Sequence, residues 1–205
     1  MLDLRDEHGF LLVADEVATG FARTGPLFAS GGWSRRPDLL VLSKALTNGA
    51  LGAAAILVGP RVVSVFSDRG ATFVHGETQA GTPAVAAAIR AVTEEIRRTD
   101  VLAAAARVSA GVRALADALV RDGLAVEVRG RGAFLAVALT DAAGARLAAA
   151  RVPDAVAAIA DAGAIVHPGV DGIQLIPAYG YDAADLAELE AAIRTGLARM
   201  AEDPS

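Results

Sequence analysis

Two side chains of opposite charge, Asp15 and Lys44, each follow a short apolar run of the sequence. The runs at 10–14 (FLLVA) and 39–43 (LLVLS) are predicted to form strands buried on both faces, because their apolar residues are continuous rather than alternating. The two charged residues are 29 positions apart, about the length of one βαβ unit, so the strands are predicted to be neighbours. Both side chains would then lie at the carboxyl edge of the sheet, where open α/β sheets bind their ligands.

An amine and a carboxylate in one crevice can do specific chemistry. Lysine amines suit covalent attachment and proton transfer, because the pKa of a lysine falls readily on burial beside other cations. A carboxylate in the same crevice can hold a buried cation. The spacing alone leaves two other interpretations open: Asp15 and Lys44 could form a structural ion pair, or they could be unrelated surface charges.

The composition excludes several classes of function. The 205-residue chain is 54% hydrophobic but only 4% aromatic, so its core must consist mainly of Ala, Val, Leu and Ile. A net charge of −5 argues against binding to nucleic acid or to an acidic membrane surface. The absence of cysteine removes disulfides, thiolate nucleophiles and cysteine-type metal sites. The first ten residues are too charged for a signal peptide, and no apolar run reaches the roughly 20 residues that span a bilayer. We therefore expect a cytoplasmic protein without a metal site.

The pattern along the chain predicts an α/β protein in two parts, with the boundary near residue 99. The first part, 1–99, adds a third buried strand at 53–59 and a helix at 81–98, with Thr82 as N-cap and Pro83 at the first helical position. The second part, 100–205, is predicted to be a smaller α+β domain. Its expected elements are a helix from Asp100 to Gly123, two strands within 124–139, a helix after Pro153, strands at 164–167 and 172–176, and a helix at 183–201. The last helix is expected to begin at Asp182 with a capping box to Asp185 and to fray after Arg199.

Three segments of the first part, taken together, point to a known family. They are VADEVATGFARTGPLFA (13–29), PDLLVLSKALTNG (37–49) and FVHGETQAGTPAVAAA (73–88). In this order they resemble the class III (ω-) aminotransferases of pyridoxal-phosphate fold type I, and most closely the diaminopelargonic acid aminotransferase branch. The resemblance continues through VRGRGAFLAVAL (128–139) and GAIVHPGVDGIQLIPAYGYDAADL (163–186), so it covers essentially the whole chain. It implies that 1–99 is the C-terminal part of the cofactor-binding large domain, with part of a mostly parallel sheet, and that 100–205 is the small C-terminal domain.

The resemblance also implies a role for individual residues. Lys44 resembles the lysine that forms a Schiff base with pyridoxal 5'-phosphate and moves the substrate proton, and Asp15 resembles the partner of the cofactor's ring nitrogen. Val17 resembles the apolar residue on one face of the ring, although an ordinary core valine is the alternative. Thr78 resembles the threonine that hydrogen-bonds the cofactor phosphate, often across a dimer interface; a turn or N-cap threonine is the alternative.

The resemblance covers only the C-terminal half of the family's length. The first half normally provides a Gly/Ser-rich phosphate loop, the aromatic residue stacked on the ring and much of the substrate pocket. The apolar outer strands of an incomplete sheet would also be exposed, which favours association. We therefore expect a split enzyme, in which a separate polypeptide supplies the first half and the assembly holds two copies of each chain. A decayed or excised remnant of a longer protein is the alternative.

Two positions depart from the family pattern for substrate recognition. The diaminopelargonate branch has an arginine near the segment IVHPG, where this chain has His167. Many other class III enzymes have an arginine just before the segment that reads LIPAY here, where this chain has Gln174. Both usual anchors for a substrate carboxylate are therefore missing, which favours a substrate without a carboxylate near the reacting carbon. Otherwise the partner chain supplies the anchor.

Three functions remain open at this stage. The first is an aminotransferase half that transfers an amino group between an amine or amino acid and an aldehyde or ketone. The second is an inactive scaffold or regulatory subunit, against which the retention of Asp15, Lys44 and Thr78 argues. The third is another reaction of the same cofactor, such as racemisation or decarboxylation.

Overall fold

The computed structural model describes residues 1–202, and the chain divides into two compact units, Met1–Asp100 and Val101–Ser205. The division falls beside the boundary predicted near residue 99. In order along the chain, the helices and strands of the first unit are α1 (Leu2–His8), β1 (Val13–Asp15), β2 (Leu39–Leu42), β3 (Ala55–Val58), α2 (Pro60–Asp68) and α3 (Pro83–Arg98). Short 3-10 helices at Ala29–Gly32 and Lys44–Leu46 complete it.

The sequence pattern predicts α3 but neither α1 nor α2. Helix α3 begins at Pro83 after the N-cap Thr82, as expected, although the Thr82 side chain makes no capping hydrogen bond. The α2 segment PRVVSVFSD is rich in β-branched residues, which favour strands, so Pro60 at its start is the only helix signal. Helix α1 has seven residues, too few to show a clear amphipathic period.

The three strands of the first unit form one sheet in the order β1-β2-β3. Strands β1 and β2 are parallel neighbours, as predicted, with Asp15 opposite Val41. Strand β3 runs antiparallel to β2, a direction that the apolar pattern at 53–59 does not specify. The expected structural class, a mixed α/β sheet protein, is confirmed.

The prediction that 10–14 is a strand buried on both faces is wrong in its bounds and in its burial. The strand is Val13–Asp15, and Val13 is 51% exposed. Ile56 on β3 is 60% exposed. Paired residues of neighbouring strands share a face, so Val13, Asp15, Leu39, Val41, Ile56 and Val58 lie on one side of the sheet. We call this side the Asp15 face; four of its six residues, Val13, Asp15, Ile56 and Val58, are exposed.

The amino ends of β1 and β2 are held together by Asp38. This carboxylate is 3% exposed and accepts a hydrogen bond from Leu12 N at 2.8 Å. It also forms ion pairs with Arg5 of α1 and Arg61 of α2 at 3.6 and 3.5 Å. A buried charge needs such partners, so this contact fixes both helices to the sheet at the end opposite Asp15.

The second unit packs helices against an antiparallel sheet. Its elements are α4 (Val101–Arg121), β4 (Ala125–Arg131), β5 (Phe134–Leu139), α5 (Val152–Asp161), β6 (His167–Pro168), β7 (Gly172–Leu175) and α6 (Ala183–Glu202), with a 3-10 turn at Ala149–Arg151. The sheet order is β4-β5-β7-β6. Its core side chains come from α4, β5, α5, β7 and α6, among them Leu119, Leu135, Val137, Ile159, Ile173 and Ile193.

The local signals read from the sequence place most of these elements correctly. The hairpin of β4 and β5 turns at Gly132 and Ala133, whereas Gly130 lies within β4 opposite Leu135; both glycines have positive φ. At the start of α6 the predicted capping box is present: Asp182 N donates to Asp185 Oδ2 at 2.8 Å, and Asp185 N donates to Asp182 Oδ1 at 3.0 Å. Helix α6 continues to Glu202 rather than fraying after Arg199; the remaining tail lies outside the described residues.

Within residues 1–202, no helix is both long and apolar enough to cross a membrane. The same residues contain no group of His, Asp or Glu side chains arranged to bind a metal ion.

Candidate active site

Lys44 is the single lysine of the chain, and it stands two residues after β2 at the carboxyl edge of the sheet. Its φ is 47°, in the left-handed region, which costs a residue with a side chain about 1–2 kcal/mol. Such conformations persist where the surrounding structure imposes them, and they cluster at functional sites. The side chain is exposed, and its amine makes no hydrogen bond or ion pair with any of residues 1–202. A strained, free amine at the carboxyl edge of the sheet is available for chemistry.

Asp15 ends β1 at the same edge. Its side chain is exposed in the chain by itself. The reason is the open Asp15 face. Asp15 Oδ1 accepts a hydrogen bond from Val17 N at 3.0 Å, and the other carboxylate oxygen has no hydrogen-bond partner among residues 1–202.

The register of the sheet places Asp15 and Lys44 at the same edge. Asp15 is opposite Val41, and Lys44 follows Val41 by three residues. Within the described residues no ion pair joins the two, because each salt bridge there involves an arginine. The structural ion pair considered as an alternative is therefore absent, and both groups remain available to a ligand.

Val17 and Thr78 lie on segments outside the strands. Val17 is half-buried and is the first residue of the loop after Asp15 and Glu16, so it is not an ordinary fully buried core valine. Thr78 is exposed in a turn that ends before the N-cap Thr82. In that turn Glu77 accepts a hydrogen bond from Gln79 N at 2.9 Å, and the ring of His75 packs on that of Phe73. Their roles as ring-packing and phosphate-binding residues stay predictions.

His167 and Gln174 belong to the second unit, where they are directly opposite each other on β6 and β7. Gln174 is also opposite Ala136 of β5, which is opposite Arg129 of β4. The four residues form one cross-strand row on the side of the sheet away from the Leu135 and Val137 core. The two substrate-binding candidates are therefore neighbours, which their separation in the sequence does not reveal.

Arg129 is the cation of this row, but carboxylates already surround it. Its Nη2 donates to Asp171 Oδ1 at 2.7 Å, and its Nη1 lies 3.2 Å from Glu127 Oε2. Arg146 forms ion pairs with the same two carboxylates. The hydrogen bond from Arg129 is the largest cause that lowers the pKa of Asp171 below its ordinary value, and the same bond raises the pKa of Arg129. Arg129 is thus paired with two carboxylates within the sheet.

Sequence reasoning missed the role of Glu16, the neighbour of Asp15. Glu16 is 2% exposed, and its carboxylate accepts hydrogen bonds from Ala29 and Ser30. The adjacent pair of carboxylates was a signal for this role. Along an extended chain, successive side chains point to opposite faces, so Asp15 and Glu16 cannot both contribute to one site.

Comparison with known proteins identifies the family to which the chain is similar. The family model "Aminotransferase class-III" matches residues 1–197. The acetylornithine aminotransferase of Xanthomonas campestris pv. campestris is 35% identical over 200 residues, covering 95% of this chain and 46% of that enzyme. The Mycobacterium tuberculosis enzyme of the same name is 36% identical over 182 residues, covering 85% of this chain and 40% of its own length.

Solved transaminase structures also match the fold of this chain. An (S)-enantioselective ω-transaminase from Thermomicrobium roseum superposes with a TM-score of 0.87 at 26% identity, covering 97% of this chain and 45% of that one. An amine transaminase from an uncultivated Pseudomonas species, solved in its PLP-bound form, superposes with a TM-score of 0.85 at 31% identity. The match covers 96% of this chain and 46% of that one. The fold is therefore that of the fold type I pyridoxal-phosphate transaminases. The chain belongs to the class III aminotransferase family, and it spans about half the length of the curated relatives it matches.

Proposed function

We propose that this chain is one subunit of a split, pyridoxal-phosphate-dependent aminotransferase, in which Lys44 carries the cofactor and Asp15 contacts its ring nitrogen. One observation carries the proposal: the only lysine of a class III aminotransferase chain has a left-handed backbone at the carboxyl edge of the sheet, beside the strand that ends at Asp15. A merely structural lysine on the surface would not need this conformation.

The groups at this edge fit the cofactor. Bound there, pyridoxal phosphate would supply an electron sink for the bond at the substrate α-carbon. The free amine of Lys44 would attach to the cofactor aldehyde and, once released, hold the proton removed from the substrate. The free oxygen of Asp15 would keep the ring nitrogen protonated, Val17 would pack on the ring, and Thr78 would bind the phosphate.

The exposed Asp15 face supports the need for a partner. Five of its six residues are apolar, and Val13 and Ile56 are more than half exposed. A sheet with parallel strands normally has both faces covered, and an apolar face of this kind is typical of an interface. Because the chain spans about half of its relatives' length, we propose that a separate polypeptide corresponding to the other half covers this face, with two copies of each chain in the assembly. The diaminopelargonate branch and a cytoplasmic biosynthetic role are part of the same proposal.

Expressed alone, the chain is expected to be insoluble or to self-associate and to bind pyridoxal phosphate poorly. Co-expression with a half-length class III polypeptide that carries the Gly/Ser-rich phosphate loop is expected to give a soluble complex of two copies of each chain. The partner to use is the product of a neighbouring reading frame, or otherwise the part of the X. campestris enzyme that this chain does not match. Mass measurement by light scattering and the visible absorption of the cofactor test this. A monomeric chain that is soluble and fully active by itself would contradict it.

The substrate is expected to be an amine or aldehyde without a free carboxylate near the reacting carbon. The imidazole of His167 and the amide of Gln174 cannot reproduce the bidentate hydrogen bonding of an arginine, and loss of a buried charge pair costs on the order of 2–5 kcal/mol. Turnover of the reconstituted complex should therefore favour simple or carrier-bound amines over ω-amino acids. Replacing Gln174 with Arg, opposite His167, is expected to raise the relative use of carboxylate substrates by about tenfold or more. Efficient use of an ω-amino acid, unchanged in His167→Ala and Gln174→Ala, would place the anchor on the partner.

A further inference from the structure

The buried carboxylate of Glu16 joins the end of β1 to a distant part of the first unit. Its Oε1 accepts hydrogen bonds from Ser30 N at 2.7 Å and Ser30 Oγ at 2.5 Å, and its Oε2 accepts one from Ala29 N at 2.6 Å. Short bonds to a carboxylate are among the stronger hydrogen bonds in proteins. They fix the beginning of the 3-10 helix Ala29–Gly32 next to the residue that follows Asp15.

The backbone of Glu16 is held as well. Its N–H donates to Val41 O at 2.9 Å, which extends the pairing with β2 one residue beyond Asp15. Its carbonyl accepts a hydrogen bond from Gly20 N at 3.1 Å. A Cβ atom on Gly20 would lie 2.9 Å from that carbonyl oxygen, so the chain turns here at a distance that only glycine allows.

The loop between these anchors is strained. Phe21 and Ala22 are consecutive residues with φ of 58° and 67°, and each left-handed residue costs about 1–2 kcal/mol. Ala22 is fully buried, and the ring of Phe21 meets the edge of Phe28 with 5.6 Å between ring centroids. A strained loop keeps such a conformation only when its surroundings impose it, and the Glu16 carboxylate closes the loop at both of its ends.

We propose that Glu16 is a positioning residue for the candidate cofactor site: it ties the two ends of the loop 17–28 together beside the end of β1, so that Asp15 and Val17 are held at the carboxyl edge. The step from loop to site is direct, because Val17 N donates to Asp15 Oδ1 at 3.0 Å. A loop that moves therefore takes the Asp15 carboxylate with it. This inference rests on the proposed function.

The structure supplies a matched control in Asp38. Both carboxylates are nearly fully buried and both accept backbone N–H donors, but Asp38 lies at the amino ends of β1 and β2 and Glu16 at their carboxyl ends. Glu16→Gln places an NH₂ donor against the N–H groups of Ala29 or Ser30. Both Glu16→Gln and Asp38→Asn are expected to lower the melting temperature, and only Glu16→Gln should alter the site.

The first measurement needs no cofactor. Trypsin cleavage after Arg23, within the loop, is followed by mass spectrometry on the purified, cofactor-free protein in complex with its partner. Glu16→Gln is expected to cleave there about tenfold faster or more, since local opening controls the cleavage rate, whereas Asp38→Asn should match the unchanged protein at this bond. Equal rates at Arg23 in all three proteins would overturn the inference.

The second measurement follows the visible band of the cofactor-loaded complex as a function of pH. The midpoint of that titration is expected to shift by about one pH unit in Glu16→Gln, because a displaced Asp15 changes the electrostatic interaction with the ring nitrogen, and to stay unchanged in Asp38→Asn. If the titration midpoint of Glu16→Gln can be measured and is unshifted, the inference is overturned while the proposed function stands. Absence of any band in the unchanged complex would contradict the proposed function, and the inference would fall with it.

Discussion

Replacing Lys44 with Ala is expected to abolish transfer of the amino group, with a loss of about 10⁴-fold or more, because covalent attachment and proton transfer both depend on one amine. The unchanged complex should be yellow with pyridoxal phosphate, and borohydride should fix the label on the peptide that contains Lys44. The chain has no other lysine, so the peptide map has a single competing amine, the amino terminus. Label at the amino terminus, or none at all, would contradict the assignment.

Two further variants separate the tasks of the Lys44 amine. Lys44→Arg keeps a positive charge at the edge, but a guanidinium stays protonated and cannot form the linkage, so it should be as inactive as Lys44→Ala. A small primary amine added to Lys44→Ala should restore part of the proton-transfer rate if the Lys44 amine carries that proton. Activity of Lys44→Arg near the unchanged level would show that only charge is required at this position.

Asp15→Asn is expected to leave the cofactor bound but to slow removal of the substrate proton by about 10²- to 10³-fold, the usual cost of losing one preorganised electrostatic contact. The structure makes this a clean substitution: Asn keeps the oxygen that accepts from Val17 N, so the loop stays in place while the negative charge is lost. Stopped-flow measurement of the half-reaction checks the prediction.

Asp15→Glu provides the matched control, since it keeps the charge but lengthens the side chain by one methylene. It is expected to be less harmful than Asp15→Asn. If Asp15→Asn kept near-normal half-reaction rates, the carboxylate would have no part in the chemistry, and its position beside the Lys44 strand would be a coincidence of the fold.

Much of the second unit could be predicted from local sequence. The signals of the capping residues Asp182 and Asp185, of the turn glycine Gly132 and of the helix stop at Gly123 act within a few residues, so they can be read directly from the sequence. Helix α2 escaped prediction because its β-branched residues favour a strand and only the packing of the chain makes it helical.

The candidate site was predictable as a set of positions but not as an arrangement. The spacing of Asp15 and Lys44, together with the family motifs around them, was enough to place both at the ends of adjacent parallel strands. It did not show that Asp15 is exposed, since burial depends on what covers a face and not on the strand's own residues. His167 and Gln174 became neighbours only through the pairing of β6 with β7.

The family, the strand pair and the residue types available for chemistry could all be inferred from the sequence, because they depend on local pattern and spacing. The tertiary structure alone decided that the second of the two adjacent carboxylates, Glu16, is buried and hydrogen-bonded. Side chains alternate along an extended chain, and the return of the loop to Ala29 and Ser30 buried Glu16 on one side. Asp15 lies on the other side of the sheet, where one oxygen of its carboxylate and the apolar Asp15 face remain exposed.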